Sequence, residues 1–256
     1  MAHFFLADAL ARAAVGDRVS VRGAEARHAV TVSRLAVGEV VAIGNGVGLV
    51  TTGPIVSASP TELTIRVEAV EVAPAPAGGV VLVQALAKGD RDELAVQAAT
   101  ELGVDVVIPW AAARSIPRWE GAKRAKGRER WAAVAREASK QSLRAWVPEV
   151  LDIVTTRELA LLAATTRMLV LEPAASKQFV DVVGAPTDDR EPRDGNLSEQ
   201  RDIVLVIGPE GGISGHELEM LTGAGADAVR LGAGVLRTST AGPAAIAVLN
   251  GLLGRW

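Results

Sequence analysis

Two glycine turns are the parts of this sequence whose residue types and spacing best suit binding of a small molecule. The first glycine turn, Gly208-Pro209-Glu210-Gly211-Gly212, directly follows the apolar run Ile203–Ile207. Glycine lets the backbone approach a ligand closely and adopt positive φ angles. The turn matches neither G-x-G-x-x-G nor a P-loop, which argues against NAD and nucleoside triphosphates as ligands. A tight connection between a strand and a helix, without any ligand, is the alternative interpretation.

A helix is predicted to begin just after the first glycine turn. Ser214 and Glu217 have the spacing of a capping box, in which each residue bonds a backbone N–H near the start of the helix. The free N–H groups at a helix N-terminus favour anionic groups of a ligand.

The second glycine turn begins at Leu231 and continues as Gly-Ala-Gly-Val-Leu-Arg-Thr-Ser through Thr240, again after a predicted strand. In an open α/β sheet, ligands gather at the carboxyl ends of the strands, so the two turns predict two walls of one pocket. Arg237 lies in this turn, and its guanidinium can form a bidentate pair of hydrogen bonds with a phosphate or a carboxylate. A capping interaction or an interface salt bridge is its alternative role.

Composition excludes several classes of protein. The chain has 256 residues, no cysteine and three histidines, His3, His28 and His216, which form no metal-ligand pattern. Disulfides and cysteine-based zinc sites are therefore excluded, and we expect no metal. The N-terminus lacks the basic and apolar regions of a signal peptide, and no apolar run is long enough for a membrane span. These features favour a cytoplasmic protein that does not enter a membrane.

Charge is unevenly distributed along the chain. The net charge is −3, but the segment from Arg114 to Arg144 contains ten Lys or Arg and three Glu, a local charge of +7. A basic segment on an otherwise acidic protein fits a polyanionic partner that docks at a defined place. A solvated helix face followed by a loop is an equally good interpretation of charge alone.

The elements that must position these residues form two domains. Residues 1–73 are predicted to be a small β-barrel, with strands at Arg18–Arg22, Val40–Ile43, Gly48–Thr52 and Glu62–Val72 and a short helix at Ala24–Leu35. Residues 74–79, rich in Pro and Gly, predict a linker.

Residues 80–256 are predicted to alternate strands and helices, which is typical of an α/β fold with a parallel sheet covered by helices. The buried strands include Val80–Leu86, Arg167–Leu171 and Ile203–Ile207. One helix is predicted over Arg91–Leu102 with Leu94, Ala98 and Leu102 on its buried stripe, and the last over Ala241–Leu253. The polar segment from 184 to 200 predicts a mobile loop.

Several motifs, in order along nearly the whole chain, resemble the SPOUT superfamily of methyltransferases. More narrowly, they resemble the family that methylates N3 of a uridine in bacterial 16S ribosomal RNA. Two of the segments that carry this resemblance are the glycine turns, the first as Gly-Pro-Glu-Gly-Gly and the second as Leu-Gly-x-x-Val-Leu-Arg-Thr-x-Thr-Ala. Three further segments match the family: Lys88-Gly-Asp-Arg-x-Glu93 with Glu101-Leu-Gly103, Glu137-Ala-x-x-Gln-Ser142 with Arg144, and His28 with Arg34-Leu-x-Val-Gly38.

The resemblance implies the following architecture and partners. The second domain is expected to be a SPOUT domain with a C-terminal trefoil knot, and the first a PUA-like barrel that helps to hold RNA. The expected cofactor is S-adenosylmethionine, and the expected partners are 16S ribosomal RNA, within the small ribosomal subunit, and a second copy of the chain in a homodimer.

The resemblance also assigns residues to roles. Arg237, Glu210 and Gln141 are the candidate catalytic residues: Arg237 stabilises the uracil anion or holds a phosphate, and Glu210 balances the sulfonium, accepts a proton or only shapes the turn. The cofactor is expected to contact Leu171, Gly208, Pro209, Glu210, Gly211, Gly212, Leu231, Gly232, Val235, Leu236 and Thr238. The RNA is expected to contact Arg34, Lys88, Arg91, Arg136, Lys140 and Arg144, of which the last three recur every four residues.

The sequence departs from the family at three places. Ser239 stands where the family usually has Glu, His3 stands where it often has Arg, and a usual pair of histidines is reduced to Arg27-His28. Two further hypotheses stay open at this point. One is a SPOUT methyltransferase that acts on another ribosomal or transfer RNA position, and the other is a noncatalytic RNA-binding factor with the same fold.

Overall fold

The fold is described from a computed structural model and covers residues 3–76, 79–184 and 202–256. It divides into two compact units, one of Met1–Ala75 with Ser139–Val147 and the other of Pro76–Ala138 with Pro148–Trp256. Residues 139–147 thus belong with the N-terminal unit, whereas the sequence analysis placed them in the second domain. Part of the predicted linker and nearly all of the predicted loop from 184 to 200 lie outside the described residues.

The N-terminal unit is built on a six-stranded sheet. Its strands run in the order β1-β3-β4-β5-β2, with β6 paired to β4, and every pair except β1–β3 is antiparallel. Apolar side chains that alternate along the strands, such as Val21, Ile43, Leu63 and Ile65, form its buried core. The strands are β1 Phe4–Leu6, β2 Arg18–Arg22, β3 Val40–Gly44, β4 Leu49–Ala58, β5 Glu62–Arg66 and β6 Ala69–Val72.

Two predicted elements of this unit differ from the structure. The run Glu62–Val72 forms two strands, β5 and β6, which pair with opposite ends of β4. Between them the chain crosses β4 at Gly53, so closely that a Cβ atom there would collide with the carbonyl oxygen of Arg66. The predicted helix Ala24–Leu35 is shorter: helix α1, Ala24–Arg27, continues only as a π-helical turn through Val32.

The second unit contains a seven-stranded sheet in the order β11-β13-β10-β12-β7-β8-β9, and all its strand pairs are parallel. The predicted α/β fold with a parallel sheet is therefore confirmed. The strands are β7 Val80–Ala85, β8 Val106–Trp110, β9 Glu149–Val150, β10 Arg167–Leu171, β11 Lys177–Gln178, β12 Ile203–Ile207 and β13 Asp227–Arg230. The helices are α2 Arg91–Glu101, α3 Ala122–Gln141, α4 Thr156–Ala163, α5 Phe179–Gly184, α6 Gly215–Gly223 and α7 Thr238–Leu252.

Helices cover both faces of this sheet, which explains why β12 is apolar throughout and β7 is apolar at every residue except Gln84. Side chains of β7 alternate, so that Val80 and Leu82 pack with α2, α3, α5 and α7, while Val81 and Val83 pack with α4 and α6. Every residue of both strands is buried. A strand with two covered faces needs apolar residues at successive positions rather than at alternate ones.

The predicted stripe of α2 is confirmed only at Leu102, which is partly buried against the core. Leu94 is 55% exposed, and the helix buries Asp92, Ala95, Val96, Ala99 and Thr100 instead. Small side chains on that face let α2 lie close to α7, and the Asp92 carboxylate accepts a hydrogen bond from the Ala87 N–H. A buried stripe that contains a carboxylate is not recognised from apolar spacing alone.

The last helix begins three residues earlier than predicted, at Thr238 rather than Ala241. Arg237 is its N-cap residue, with an extended backbone (φ −65°, ψ 151°). The polar run Thr238-Ser239-Thr240 is therefore the first turn of α7. The C-terminal trefoil knot implied by the resemblance stays a prediction.

Candidate functional site

Three neighbouring strands place three connecting segments at one edge of the second sheet. Strand β10 lies between β12 and β13, and all three run parallel. Their carboxyl ends therefore bring Leu171, the first glycine turn and the second glycine turn to the same edge. This is the edge of an open α/β sheet at which ligands bind.

The first glycine turn needs glycine at two positions. Gly212 has φ +72°, a region that side-chain-bearing residues rarely adopt, and its N–H donates to the Pro209 carbonyl at 2.9 Å. A Cβ atom on Gly208 would lie 2.7 Å from Cγ1 of Ile213. The Arg114 guanidinium donates to the carbonyl oxygen of Gly211 at 3.0 Å and holds the turn from its other side.

Glu217 fixes the start of α6 just beyond this turn. The predicted capping box with Ser214 is present. Glu217 is almost fully buried, and it also accepts hydrogen bonds from the Ala113 N–H at 2.8 Å and from the Thr156 hydroxyl at 2.9 Å. Burial would raise the pKa of Glu217, but these hydrogen bonds, led by that from the Ser214 hydroxyl, outweigh it and lower the pKa. The carboxylate is therefore ionised and joins three segments of the unit.

The second glycine turn exposes apolar side chains. Val235 is 79% and Leu236 42% exposed, an arrangement that burial energetics disfavours unless something covers them. The turn occupies residues 231–237, because α7 begins at Thr238. Thr238 is buried, and its hydroxyl donates to the Gly208 carbonyl at 2.8 Å, which ties the second turn to the first.

The two turns enclose a cavity of about 420 Å³, the size of a small-molecule site. Most of the residues that the sequence analysis assigned to the cofactor line it. They are Leu171, Gly208, Pro209, Glu210, Gly212, Leu231, Gly232, Val235, Leu236 and Thr238. Gly211 does not line the cavity, because it lies against Arg114 instead. The predicted catalytic residue Arg237 also lines it.

Eight further residues line the cavity that were not predicted from the sequence: Glu172, Pro173, Ile207, Ile213, Val229, Arg230, Gly234 and Ala241. Glu172-Pro173 directly follows β10, as Gly208-Pro209 follows β12, so their position after a buried strand was a usable signal. Arg230 offers no such pattern. Within the described residues its Nε is buried without a hydrogen-bond partner.

Glu210 is held by the start of α2 and the residues just before it. Its carboxylate accepts from the Arg91 guanidinium at 3.0 Å and from the Lys88 N–H at 3.1 Å. Partial burial favours a raised pKa, yet the backbone N–H groups of Glu210 and Lys88 and the Arg91 side chain outweigh it and lower the pKa of Glu210. Of the two residues predicted to contact RNA, Arg91 thus binds this carboxylate through its side chain, whereas Lys88 binds it only through its backbone N–H and has an exposed side chain.

The remaining predicted residues are not at the cavity. Gln141, Lys140 and Arg144 belong to the N-terminal unit, and Arg136 to the second. Arg136, Lys140 and Arg144 were predicted to share one helical face. Helix α3 ends at Gln141, so Arg144 lies beyond the helix and this prediction is wrong for it.

Two of the predicted RNA-binding residues differ in availability. Lys140 is buried, and its ammonium forms an ion pair with Glu25 at 3.0 Å, a contact within the N-terminal unit. Arg34 is exposed and has a φ of +56°, which is unusual for a residue with a side chain. The position of Lys140 is that of a structural ion pair rather than of a surface phosphate contact.

Neither a metal centre nor a membrane span is present in the part of the chain that the structure describes. No group of three or more His, Asp or Glu is arranged to hold a metal ion there. None of its helices is both long enough and apolar enough to cross a bilayer.

Sequence models of known families match both units. Residues 74–250 match an RNA methyltransferase domain, and residues 21–68 match an RNA methyltransferase PUA domain. The first match covers more than half of the chain. The second lies within the β-rich N-terminal unit, for which a PUA-like domain was predicted.

Individual relatives agree with the family models. The chain is 40% identical over 241 residues to the ribosomal RNA small subunit methyltransferase E of Mycobacterium bovis, which covers 92% of this chain and 87% of that protein. It is 34% identical over 168 residues to the protein of the same name from Bacillus subtilis, over 63% of this chain and 61% of the relative.

Solved structures resemble the fold over nearly its whole length. The ribosomal RNA small subunit methyltransferase E of Neisseria gonorrhoeae, bound to S-adenosyl methionine, is 26% identical with a TM-score of 0.77 and covers 98% of both chains. A putative methyltransferase from Legionella pneumophila in complex with the cofactor SAM is 28% identical with a TM-score of 0.80, over 97% of this chain and 96% of the other.

Proposed function

We propose that this chain, which belongs to the family of RNA methyltransferases with an RNA methyltransferase PUA domain, methylates N3 of a specific uridine in 16S ribosomal RNA with S-adenosylmethionine as donor. One observation carries the proposal: a single cavity is lined by nearly all residues that the resemblance assigned to the cofactor. Relatives solved with this cofactor bound share the fold over almost the whole chain.

The lining of the cavity fits S-adenosylmethionine. Leu171, Leu231, Val235 and Leu236 supply an apolar wall suited to an adenine ring, and the glycine turns supply backbone N–H and carbonyl groups. The ionised carboxylate of Glu210 supplies a negative charge for a cationic ligand. The exposure of Val235 and Leu236 is then accounted for, because a bound adenosyl group would cover them.

Methyl transfer to N3 requires a deprotonated uracil. When bound, S-adenosylmethionine supplies an electrophilic methyl group, while the protein supplies position and electrostatics. Arg237, which lines the cavity, stabilises the charge that appears on the uracil oxygens once N3 has lost its proton to solvent water. Of the roles open to Glu210, charge balance is favoured over proton acceptance, because a carboxylate with a lowered pKa is a weak base.

RNA binding is assigned to charged residues of both units. Arg34 and Arg144 lie in the N-terminal unit and Arg136 in the second, and phosphate contacts from such residues position RNA without reading its sequence. Gln141 is exposed near the end of α3 and is suited to a contact with a base. We further propose that the protein acts as a cytoplasmic homodimer on the small ribosomal subunit.

Two experiments test the cofactor and the target separately. Isothermal titration calorimetry with S-adenosylmethionine should show binding to the purified protein, and its absence would leave only a noncatalytic RNA-binding role. Deletion of the gene should remove N3-methyluridine from 16S ribosomal RNA. A normal N3-methyluridine signal after deletion, with a different modified position lost, would instead assign the enzyme to another RNA site.

The role of Arg237 is tested by Arg237→Ala. Loss of a donor to a developing negative charge lowers the rate by about 100- to 1,000-fold, while the cofactor should still bind. Methyl transfer to 16S ribosomal RNA, measured with a radiolabelled donor, reports the rate, and calorimetry reports binding. Arg157→Ala, on the exposed surface of α4 and away from the cavity, is the control. Wild-type turnover by Arg237→Ala would refute the assigned role.

A further inference from the structure

Gln84 is a polar residue near the carboxyl end of the otherwise apolar buried strand β7. It lies in β7, is 0% exposed, and occupies the alternation that points Val80 and Leu82 toward α2 and α7. A buried amide destabilises a fold unless its groups are hydrogen-bonded. Neither the apolar core nor the lining of the cavity explains why an amide is placed here, because Gln84 is not a lining residue.

The hydrogen bonds of Gln84 have a fixed direction. The Gly208 carbonyl oxygen only accepts, so the Thr238 hydroxyl spends its single hydrogen on it, at 2.8 Å. The Thr238 oxygen must then accept from the Gln84 amide nitrogen, which lies at 2.9 Å. The second amide hydrogen of Gln84 goes to the carbonyl of Ala85 at 3.1 Å. The chain of donors therefore runs from Gln84 through Thr238 to Gly208.

This series of hydrogen bonds joins both walls of the cavity to strand β7 of the sheet. Gly208 opens the first glycine turn, and Thr238 opens α7 directly after the second glycine turn. Both residues line the cavity. Gln84 therefore contacts the residue, Thr238, whose hydroxyl joins one turn to the other.

The amide oxygen of Gln84 indicates that the residue is not kept for stability. Among the described residues, this buried oxygen has no hydrogen-bond partner. An unpaired buried acceptor is destabilising, whereas a leucine of similar size would leave no orphaned oxygen. The donated hydrogen bond to Thr238 is the favourable interaction that a leucine would lose.

We infer that Gln84 is a positioning residue that holds the two glycine turns at the separation needed for cofactor binding. The inference rests on the proposed S-adenosylmethionine site. It goes beyond that site because Gln84 does not itself line the cavity.

The test is Gln84→Leu, measured for cofactor affinity and for thermal unfolding. We expect S-adenosylmethionine to bind about three- to tenfold more weakly, the effect of one net hydrogen bond, while the melting temperature stays equal or rises. Thr238→Val should weaken cofactor binding similarly, whereas Thr238→Ser, which keeps the hydroxyl, should bind the cofactor as the wild type does. The double variant Gln84→Leu/Thr238→Val should bind the cofactor no more weakly than Thr238→Val alone. A purely structural role would instead lower the melting temperature and leave affinity unchanged.

Asn250 provides the matched control. It is another buried amide with an unpaired oxygen, it donates to the Leu102 carbonyl at 2.7 Å, and it lies at the opposite end of α7, away from the cavity. Asn250→Leu should change stability without changing cofactor affinity. Equal affinity of Gln84→Leu and the wild type, or equal weakening by Asn250→Leu, overturns the inference.

A second readout separates this inference from the proposed function. Without any ligand, Gln84→Leu should accelerate amide hydrogen exchange in the first glycine turn and at the start of α7. Unchanged exchange there overturns the positioning role even if the wild type binds no S-adenosylmethionine. Failure of the wild type to bind the cofactor, with faster exchange in the variant, refutes only the proposed function.

Discussion

Replacement of Glu217 by glutamine tests how the segment after the first glycine turn is held. One carboxylate oxygen accepts from the Ala113 N–H and the Thr156 hydroxyl, and the other from the N–H and hydroxyl of Ser214. In glutamine, an NH₂ group replaces one of these two oxygens, and at either place it would face two donors without being able to accept from them. The hydroxyl can rotate and accept, but the backbone N–H has no acceptor left.

The expected cost follows from that count. Glu217→Gln leaves one buried N–H unpaired and replaces charge-assisted bonds with neutral ones, which together cost about 2–4 kcal/mol of unfolding free energy. For a chain of this length the melting temperature should fall by about 5–15 °C. Circular dichroism on heating measures it. Glu219→Gln makes the same change at an exposed position of α6 and should leave the melting temperature unaltered.

The effect should also depend on pH. The pKa of Glu217 lies below its ordinary value of 4.5, although burial opposes this, because hydrogen bonds favour the charged form. A carboxylate whose pKa is lower in the folded state adds stability above its unfolded pKa and loses it as the pH falls through the folded value. The gap between wild type and Glu217→Gln should therefore be full at pH 7 and shrink below about pH 4.5. If Glu217→Gln melts within about 1 °C of Glu219→Gln at pH 7, the reasoning is refuted.

Two further substitutions examine the cavity wall and the N-terminal unit. Gly208→Ala places a Cβ 2.7 Å from the Ile213 side chain and should weaken S-adenosylmethionine binding about tenfold or more by calorimetry. Gly215→Ala, which meets no described atom within 4 Å, should bind normally, and equal affinities would contradict the steric argument. Lys140→Met leaves the largely buried Glu25 carboxylate without its ion-pair partner and should lower the free energy of unfolding in urea by about 3 kcal/mol. The double variant Glu25→Gln/Lys140→Met should recover most of that loss. Wild-type stability with reduced RNA affinity would instead support the predicted RNA contact.

Local patterns predicted the elements of the second unit well where one residue type dominates. Strands β10 and β12 have the predicted bounds, because a strand covered on both faces is a continuous apolar run. The start of α6 was predicted from its capping box, which depends only on residues within one turn. The two glycine turns line one cavity because adjacent parallel strands end at the same edge.

Features that depend on contacts between distant segments could not be predicted. Lys140 belongs to a basic segment, and nothing near it in sequence indicates that it pairs with Glu25, more than a hundred residues away. Gln84 reads as one polar residue in an apolar strand, and its partner Thr238 is equally remote. Arg91 was assigned to RNA by the family resemblance, and nothing near it in sequence indicates its partner Glu210, which lies in the turn after β12.

The central place of β12 in the second sheet determines when the cavity forms. Its neighbour β7 is 123 residues earlier in the chain, as the bond between the Gly79 N–H and Asp202 shows. Pairing of strands so far apart in the chain is a non-local contact of the kind that slows folding. During synthesis, β7 remains without this neighbour until β12 has been made, and the second glycine turn and Thr238 follow still later in the sequence. Both walls of the cavity therefore exist only after the chain has been made through Thr238, so cofactor binding would report that β7, β12 and the start of α7 have come together.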